Sequence, residues 1–336
     1  MHIGRRYALL LTSALLFPLT LPSPLFAYGN ALLGSVSLLP LYLFLLETGE
    51  SRHLLRGGAL FGAISTVIAN FWLAFFQDFS VRTLGGTTLG YLIYNTILFG
   101  FLSLIRDRPR QLRPFLFAMI WVGYEYLKSV GFLAYPWGLA GYTLSAHPLL
   151  LQLAELTGVW GISGAVALFN ALLAEALVAL WRGERSWSFR LLAVAAALPL
   201  LLGGYGAYAL NQEQPVDQEV GVLLVQQNTD SWAPDNFASA LEQAQRISER
   251  GVAEADGSVE LVVWSETSLR RPYESWRGYY EEHPAERPFS EFLAELGVPL
   301  LTGSPISGET GYMNGALLID PNGSILGRYG KQQLVP

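Results

Sequence analysis

Forty consecutive residues without a charge, Tyr7 to Leu46, constrain this chain more than any other feature. The run is broken once, at "LPSPLFAYGN". It is long enough for two crossings of a bilayer at about 20 residues each, so a helical hairpin in a membrane is the expectation. The opening "RRYALLLTSALLFPLTLPSPLFA", with its basic start and apolar run, has the look of a signal peptide. However, Leu25 stands where a small residue would precede cleavage after Ala27, and more apolar spans follow at once. The first helix is read as retained.

Composition agrees. Of the 336 residues, 51% are hydrophobic and only 14% charged, the balance of a membrane protein. Further spans start at Gly57, Gly86, Arg113, Val159 and Leu191, which makes about seven transmembrane helices within residues 1–210. The fifth is short and carries Glu125. Loops on the cytoplasmic side collect Lys and Arg. With the N-terminus inside, eleven arginines (5, 6, 52, 56, 106, 108, 110, 113, 182, 185 and 190) fall inside, against Arg82 and Lys128 outside. An odd number of crossings then delivers residues 211–336 to the outer face, which is the periplasm for a protein of a bacterial inner membrane.

Residues 211–336 change character. They hold 19 Asp and Glu against 8 Lys and Arg, a net −11, while the first 210 residues are at +5. Such an acidic surface argues against nucleic acid as a partner. With no cysteine in the chain, disulfides and thiolate metal sites are excluded. His2, His53, His147 and His283 are scattered without ligand spacing, so neither a metal nor another cofactor is expected.

The apolar run "EVGVLLVQQN" reads as a buried strand. From Asp235, a plausible N-cap, the period changes: Phe237, Leu241, Ala244, Ser248 and Val252 recur at helical steps. "VELVVW" is a second strand, followed by a loop rich in aromatics and charge. A helix at 289–296 leads into the strands "VPLLTGSPI" and "YMNGALLID", and "PNGS" turns the chain into "ILGRYGK". This order opens an α/β layered domain. Four or five strands leave sheet edges unprotected, which hints at further chain. The fold class is therefore a polytopic α-helical membrane domain followed by a partial α/β domain.

Glu266, in "LVVWSETSLR", lies two residues past a buried strand, and the carboxyl ends of strands are where open α/β sheets place their sites. Beside Trp264 and Thr267 it would be partly desolvated, with a raised pKa that suits a general base; alternatively it meets Arg270 or Arg271 at the surface. Lys331, after the last strand, could donate to an oxyanion or simply be solvated. Within the spans stand Asn70, Asn95, Glu125 and Glu175. Intramembrane carboxylates are costly and suggest function, but Glu125 is expected to pair with Lys128 at i,i+3.

Taken together, "VVWSET" and "RYGKQQLVP" resemble the nitrilase, or carbon–nitrogen hydrolase, superfamily, whose triad runs Glu, Lys, Cys. Seven helices ahead of such a domain resemble one branch, the apolipoprotein N-acyltransferases. "WVGYEYLKSVGFLAYPWGLAGYTLS" and "LLVQQNTDSWAPDN" are similar to two further segments of that family, so the likeness runs nearly end to end. It implies the first half of a nitrilase-like α-β-β-α sandwich. It also implies Glu266 as general base, Lys331 as the oxyanion-stabilising lysine, and Trp232 and Trp137 as substrate-side residues at the membrane mouth. The implied partners are a phospholipid acyl donor and an apolipoprotein acceptor.

One departure stands out. The family's cysteine lies downstream of its lysine, and this sequence has none. Two expectations follow: a fragment of an enzyme that ends before its nucleophile, inactive alone, or a chain without that chemistry. A membrane-anchored amidase of the same superfamily and a non-catalytic membrane protein with an outer binding domain are the alternatives.

Overall fold

The computed structural model describes residues 3–24, 26–75, 80–131, 134–212, 218–229, 237–282, 287–308 and 311–332. The chain divides into two compact units, the first running to Glu213 and the second from Gln214.

The first unit is helical. The charge-free run becomes α1 (Ile3–Leu19) and a broken helix, α2 (Ala31–Ser37) and α3 (Leu39–Glu47). There follow α4 (Ser51–Asn70), α5 (Val81–Leu102), α6 (Arg113–Ser129), the short α7 (Pro148–Leu151), α8 (Ala154–Trp181) and α9 (Arg185–Leu210). Among the described residues four helices are long and apolar enough to cross a membrane: α4 with its extension to Ala74, α5 with its extension to Ile105, α8 and α9. The α2–α3 pair, Ala31–Glu47, is apolar but shorter, and α1 and α6 have 17 residues each.

Two devices hold these helices together. Asn170 of α8 bridges the break between α2 and α3. Its Oδ1 accepts from the Leu38 and Leu39 N–H groups at 2.9 and 3.1 Å, and its Nδ2 donates to Gly34 and Val166 carbonyls. Backbone groups freed at a break in an apolar setting need such partners. Along α4, Gly58 and Gly62 lie one turn apart and face α5. A Cβ at either would come within 2.5 Å of the Asn95 or Tyr91 carbonyl oxygen. Small residues at this spacing let two backbones meet. Around them Phe17, Phe61, Phe99, Phe117 and Trp121 interlock as a buried aromatic core.

The second unit is a five-stranded mixed sheet in the order β1 (Val222–Leu224), β2 (Leu261–Val263), β3 (Leu300–Gly308), β4 (Gly311–Ile319), β5 (Ile325–Gly330). The first three strands are parallel and the last three antiparallel. α10 (Phe237–Glu254) crosses between β1 and β2, and α11 (Arg277–Glu282) and α12 (Phe289–Leu296) between β2 and β3. Trp264 turns into the core beneath them, packing on Phe289 and Phe292 and donating to Ser248 Oγ at 2.8 Å.

The expected partial α/β class is the one found. α12 has the anticipated bounds, and the expected N-cap Asp235 lies outside the described residues. α11 falls where a loop was anticipated. Its six residues are too few to show a period, and it is anchored by the buried Tyr280, whose hydroxyl donates to the Arg271 carbonyl and accepts from the Arg271 N–H.

Candidate active site

The residues just past β2 are moulded by a strand neighbour. Gly303 of β3 lies so close beneath them that a Cβ there would stand 2.3 Å from the Thr267 nitrogen and 2.8 Å from Glu266 Cα. Thr267 itself takes a left-handed conformation, φ 56°, which is uncommon and costly for a branched residue. The turn is tied on both sides. The Leu269 N–H donates to the Gly303 carbonyl at 2.9 Å, and Gln227, after β1, donates to Ser265 Oγ at 3.2 Å. Glu266 is thus presented from a fixed turn between two parallel strands.

Its carboxylate meets groups from the far edge of the sheet. Lys331 Nζ donates to Glu266 Oε1 at 3.0 Å, and Asn314 Nδ2 donates to the same oxygen at 2.5 Å. Asn314, on β4, also accepts from the Lys331 N–H at 2.8 Å, so one residue holds both the acid and the base. The group opens onto a cavity of about 380 Å³ lined by Glu266, Lys331, Asn314, Thr302, Gly303 and Tyr329.

The electrostatics correct one expectation. The Glu266 carboxyl is held below the usual glutamate range, first by the Lys331 hydrogen bond, then by the Lys331 charge and the Asn314 hydrogen bond; desolvation opposes them without prevailing. The reason is exposure. The Glu266 side chain is 65% accessible and Trp264 faces the core, so nothing desolvates the carboxylate enough to raise its pKa. Its ionic partner is Lys331 and not Arg270 or Arg271.

Elsewhere the candidates scatter. Trp232 and His283 lie outside the described residues. Trp137 belongs to the helical unit, 52% exposed, with its ring against Tyr135 and Trp72. With Trp72, Phe71, Leu21, Pro136 and Tyr142 it lines a cavity of about 750 Å³. Asn70 accepts from the Tyr135 hydroxyl, and Asn95 donates to the Tyr91 carbonyl and Tyr124 hydroxyl. Glu175 accepts from the Tyr42 hydroxyl at 2.9 Å and lies 3.9 Å from Arg113. Glu125 keeps the expected electrostatic attraction to Lys128, but without a direct contact between them. Its Oε1 instead accepts from Trp121 Nε1 and the Ala140 N–H, while Lys128 donates to the Trp137 and Gly138 carbonyls. Among the described residues no group of three His, Asp or Glu could hold a metal ion.

Asn314 carries little mark in the sequence, although its neighbourhood "YMNGALLID" has the pattern of the strand it forms. A lone amide near the start of an apolar strand was the signal available. Gly303 had no such signal, because its role depends on a turn 36 positions away in sequence.

A unit with four membrane-length helices joined to a partial α/β unit defines a class: a multi-pass membrane protein bearing an α/β domain with an acid–base–amide cluster at its strand ends. Residues 13–172 match the apolipoprotein N-acyltransferase N-terminal domain. The chain is 36% identical over 353 residues to apolipoprotein N-acyltransferase 2 of Treponema pallidum, an alignment covering 96% of this chain and 63% of the relative. It is 36% identical over 340 residues to apolipoprotein N-acyltransferase 2 of Treponema denticola, covering 98% and 64%. Against the apolipoprotein N-acyltransferase of Borreliella burgdorferi it is 27% identical over 343 residues, covering 99% and 64%. The chain belongs to the apolipoprotein N-acyltransferase family. It spans less than two thirds of the length of these relatives.

Proposed function

We propose that this chain carries the membrane unit and the first part of the catalytic unit of an enzyme that N-acylates the N-terminal diacylglyceryl-cysteine of apolipoproteins, with a phospholipid as acyl donor. One observation supports this most. The two residues that the family resemblance pairs, 65 positions apart, share a 3.0 Å hydrogen bond at one cavity.

In this reading Glu266, kept ionised by Lys331 and Asn314, takes the proton of a cysteine thiol, which the family supplies downstream of its lysine. The thiolate adds to the phospholipid ester carbonyl while Lys331 donates to the oxyanion, a contribution typically worth roughly 3 kcal/mol per donor. Collapse breaks the ester C–O bond, and Glu266 returns its proton to the leaving lysophospholipid oxygen. A thioester remains. The free α-amino group of the lipid-modified cysteine then attacks it and loses a proton to Glu266. The amide forms, and the expelled thiolate is reprotonated by Glu266. Because both substrates visit one nucleophile in turn, the kinetics are ping-pong.

Trp137 and Trp232 serve the lipid side of the reaction. The protein lies in a bacterial inner membrane, its N-terminus cytoplasmic and its α/β unit periplasmic; the eleven arginines on one set of loops support that orientation.

In a chain extended through the cysteine, Glu266→Gln should abolish formation of the hydroxylamine-labile acyl-enzyme, and near-normal acylation would remove Glu266 from its role. The 336-residue chain has no thiol and should form no such adduct. Turnover of small amides by the extended chain, with no acyl transfer from lipid, would favour a membrane-anchored amidase instead.

A further inference from the structure

The segment from Tyr135 to Gly141 leaves the end of α6 and makes few hydrogen bonds within itself. Its Gly138 is left-handed, φ 71°. In a membrane setting each unmet N–H or C=O is costly. Three side chains meet them. Lys128 Nζ donates to the Trp137 carbonyl at 2.9 Å and to the Gly138 carbonyl at 3.4 Å. Glu125 Oε1 accepts from the Ala140 N–H at 2.8 Å, and Ser163 Oγ of α8 accepts from the Gly141 N–H at 2.9 Å.

The chemistry is matched by type. The ammonium takes the carbonyls and the carboxylate takes the N–H, and both come from one face of α6 because positions three apart share a face. Each is buried, Glu125 fully and Lys128 to 6% exposure. The Lys128 ammonium also lies over the rings of Tyr91 and Tyr124, 5.4 and 5.6 Å from their centroids, which offsets part of its lost hydration. The same loop is gripped again at Tyr135. The Tyr135 N–H donates to the Lys128 carbonyl, its hydroxyl to Asn70, and its carbonyl accepts from the Tyr91 hydroxyl. The outcome is that the Trp137 indole is stacked on Tyr135 at 17° between ring planes, half exposed, on the wall of the 750 Å³ cavity.

We infer that Glu125 and Lys128 are positioning residues: they latch the Tyr135–Gly141 loop to α6 and thereby fix the indole of Trp137 at the cavity wall. The i,i+3 spacing leaves the two groups near enough to attract each other, but their hydrogen bonds go to the loop and not to one another. The latch gives the apolar cavity a rigid aromatic wall suited to an acyl chain. That last assignment rests on the proposed lipid-side role of Trp137; the latch itself does not.

The test uses the 336-residue chain in lipid nanodiscs. The emission of Trp137 is taken as the difference between each protein and its Trp137→Phe counterpart, so that the other tryptophans cancel. Glu125→Leu and Lys128→Met should shift this emission and raise its quenching by aqueous acrylamide. Glu125→Gln keeps an acceptor for Ala140 and should retain the native signal. Helical content by circular dichroism identifies folded samples, and Ser163→Ala, which removes the acceptor of Gly141 and a hydrogen bond to Glu125 but leaves both charged residues in place, gives a milder variant should the others fail to fold; it too should loosen Trp137. An unchanged Trp137 signal in folded Lys128→Met or Glu125→Leu, or in Ser163→Ala if neither of those folds, would overturn the latch, as would a loss in Glu125→Gln equal to that in Glu125→Leu. Dibrominated phosphatidylcholine in the nanodisc reads the lipid role separately. If it fails to quench native Trp137, the acyl-chain assignment falls while the latch stands on the acrylamide result.

Discussion

Gly303 matters at the level of a single atom, because a methyl group there would occupy the space of the Glu266 and Thr267 backbone. Gly303→Ala should therefore push the turn outward and lengthen the Glu266–Lys331 contact. Overpacking of this kind costs about 1–3 kcal/mol of stability, and a displacement near 1 Å at a reacting group costs about 10²-fold in rate. Urea unfolding of the variant and acylation by an extended chain would check the two figures, and a wild-type rate would show that the turn tolerates the shift. Lys331 makes a second prediction. Glu266 has a folded pKa below its unfolded one, so its interactions stabilise the fold above the ordinary glutamate value and are lost as pH falls through the lower folded value. Lys331→Met should raise the Glu266 midpoint toward the ordinary range, measured by carboxyl-carbon NMR titration. The side chain's exposure keeps the stability consequence small. Of these residues, the acid and the base were legible in the sequence because motifs carry them. Asn314 and Gly303 were not, since each acts through a partner distant along the chain, Asn314 lying 48 residues from Glu266.

At the scale of elements, packing in the helical unit depends on where bulk is absent. Gly62→Val should drive α4 from α5 against the Tyr91 carbonyl, a cost of about 1–3 kcal/mol visible as a lower thermal midpoint in detergent. Gly90→Ala on α5, where a Cβ would meet nothing within 4 Å, should be neutral or stabilise by up to about 1 kcal/mol. Equal effects of the two substitutions would show that close approach of α4 and α5 is not what Gly62 provides. Helical and strand periods were readable because burial of one face imposes them locally, as at Phe289–Leu296. The break between α2 and α3 was not, because what makes it tolerable is Asn170, 132 residues from Leu38. The i,i+3 spacing of Glu125 and Lys128 foretells their mutual attraction but not their hydrogen bonds: it places two side chains on one face without saying what third element comes to meet them.

The whole molecule is two units of opposite character, +5 over the first 210 residues and −11 beyond them. The arginine distribution predicts its insertion. Alkaline phosphatase fused after residue 212 should be active at the bacterial surface side, and a fusion after Arg110 inactive; the reverse pattern would invert the proposed topology. What the sequence determined alone was the division into an apolar helical part and an acidic α/β part, because hydropathy and charge are sums over residues that need no neighbours. It also determined the family, through motifs that sit in short contiguous stretches. Only the tertiary structure decided which polar groups meet: that Lys331 and Asn314 converge on Glu266 and depress its pKa, and that Glu125 and Lys128 spend their hydrogen bonds on a loop. Such contacts are made across chain separations that no local pattern records, and they are selected by which arrangement leaves the fewest buried polar groups without a partner.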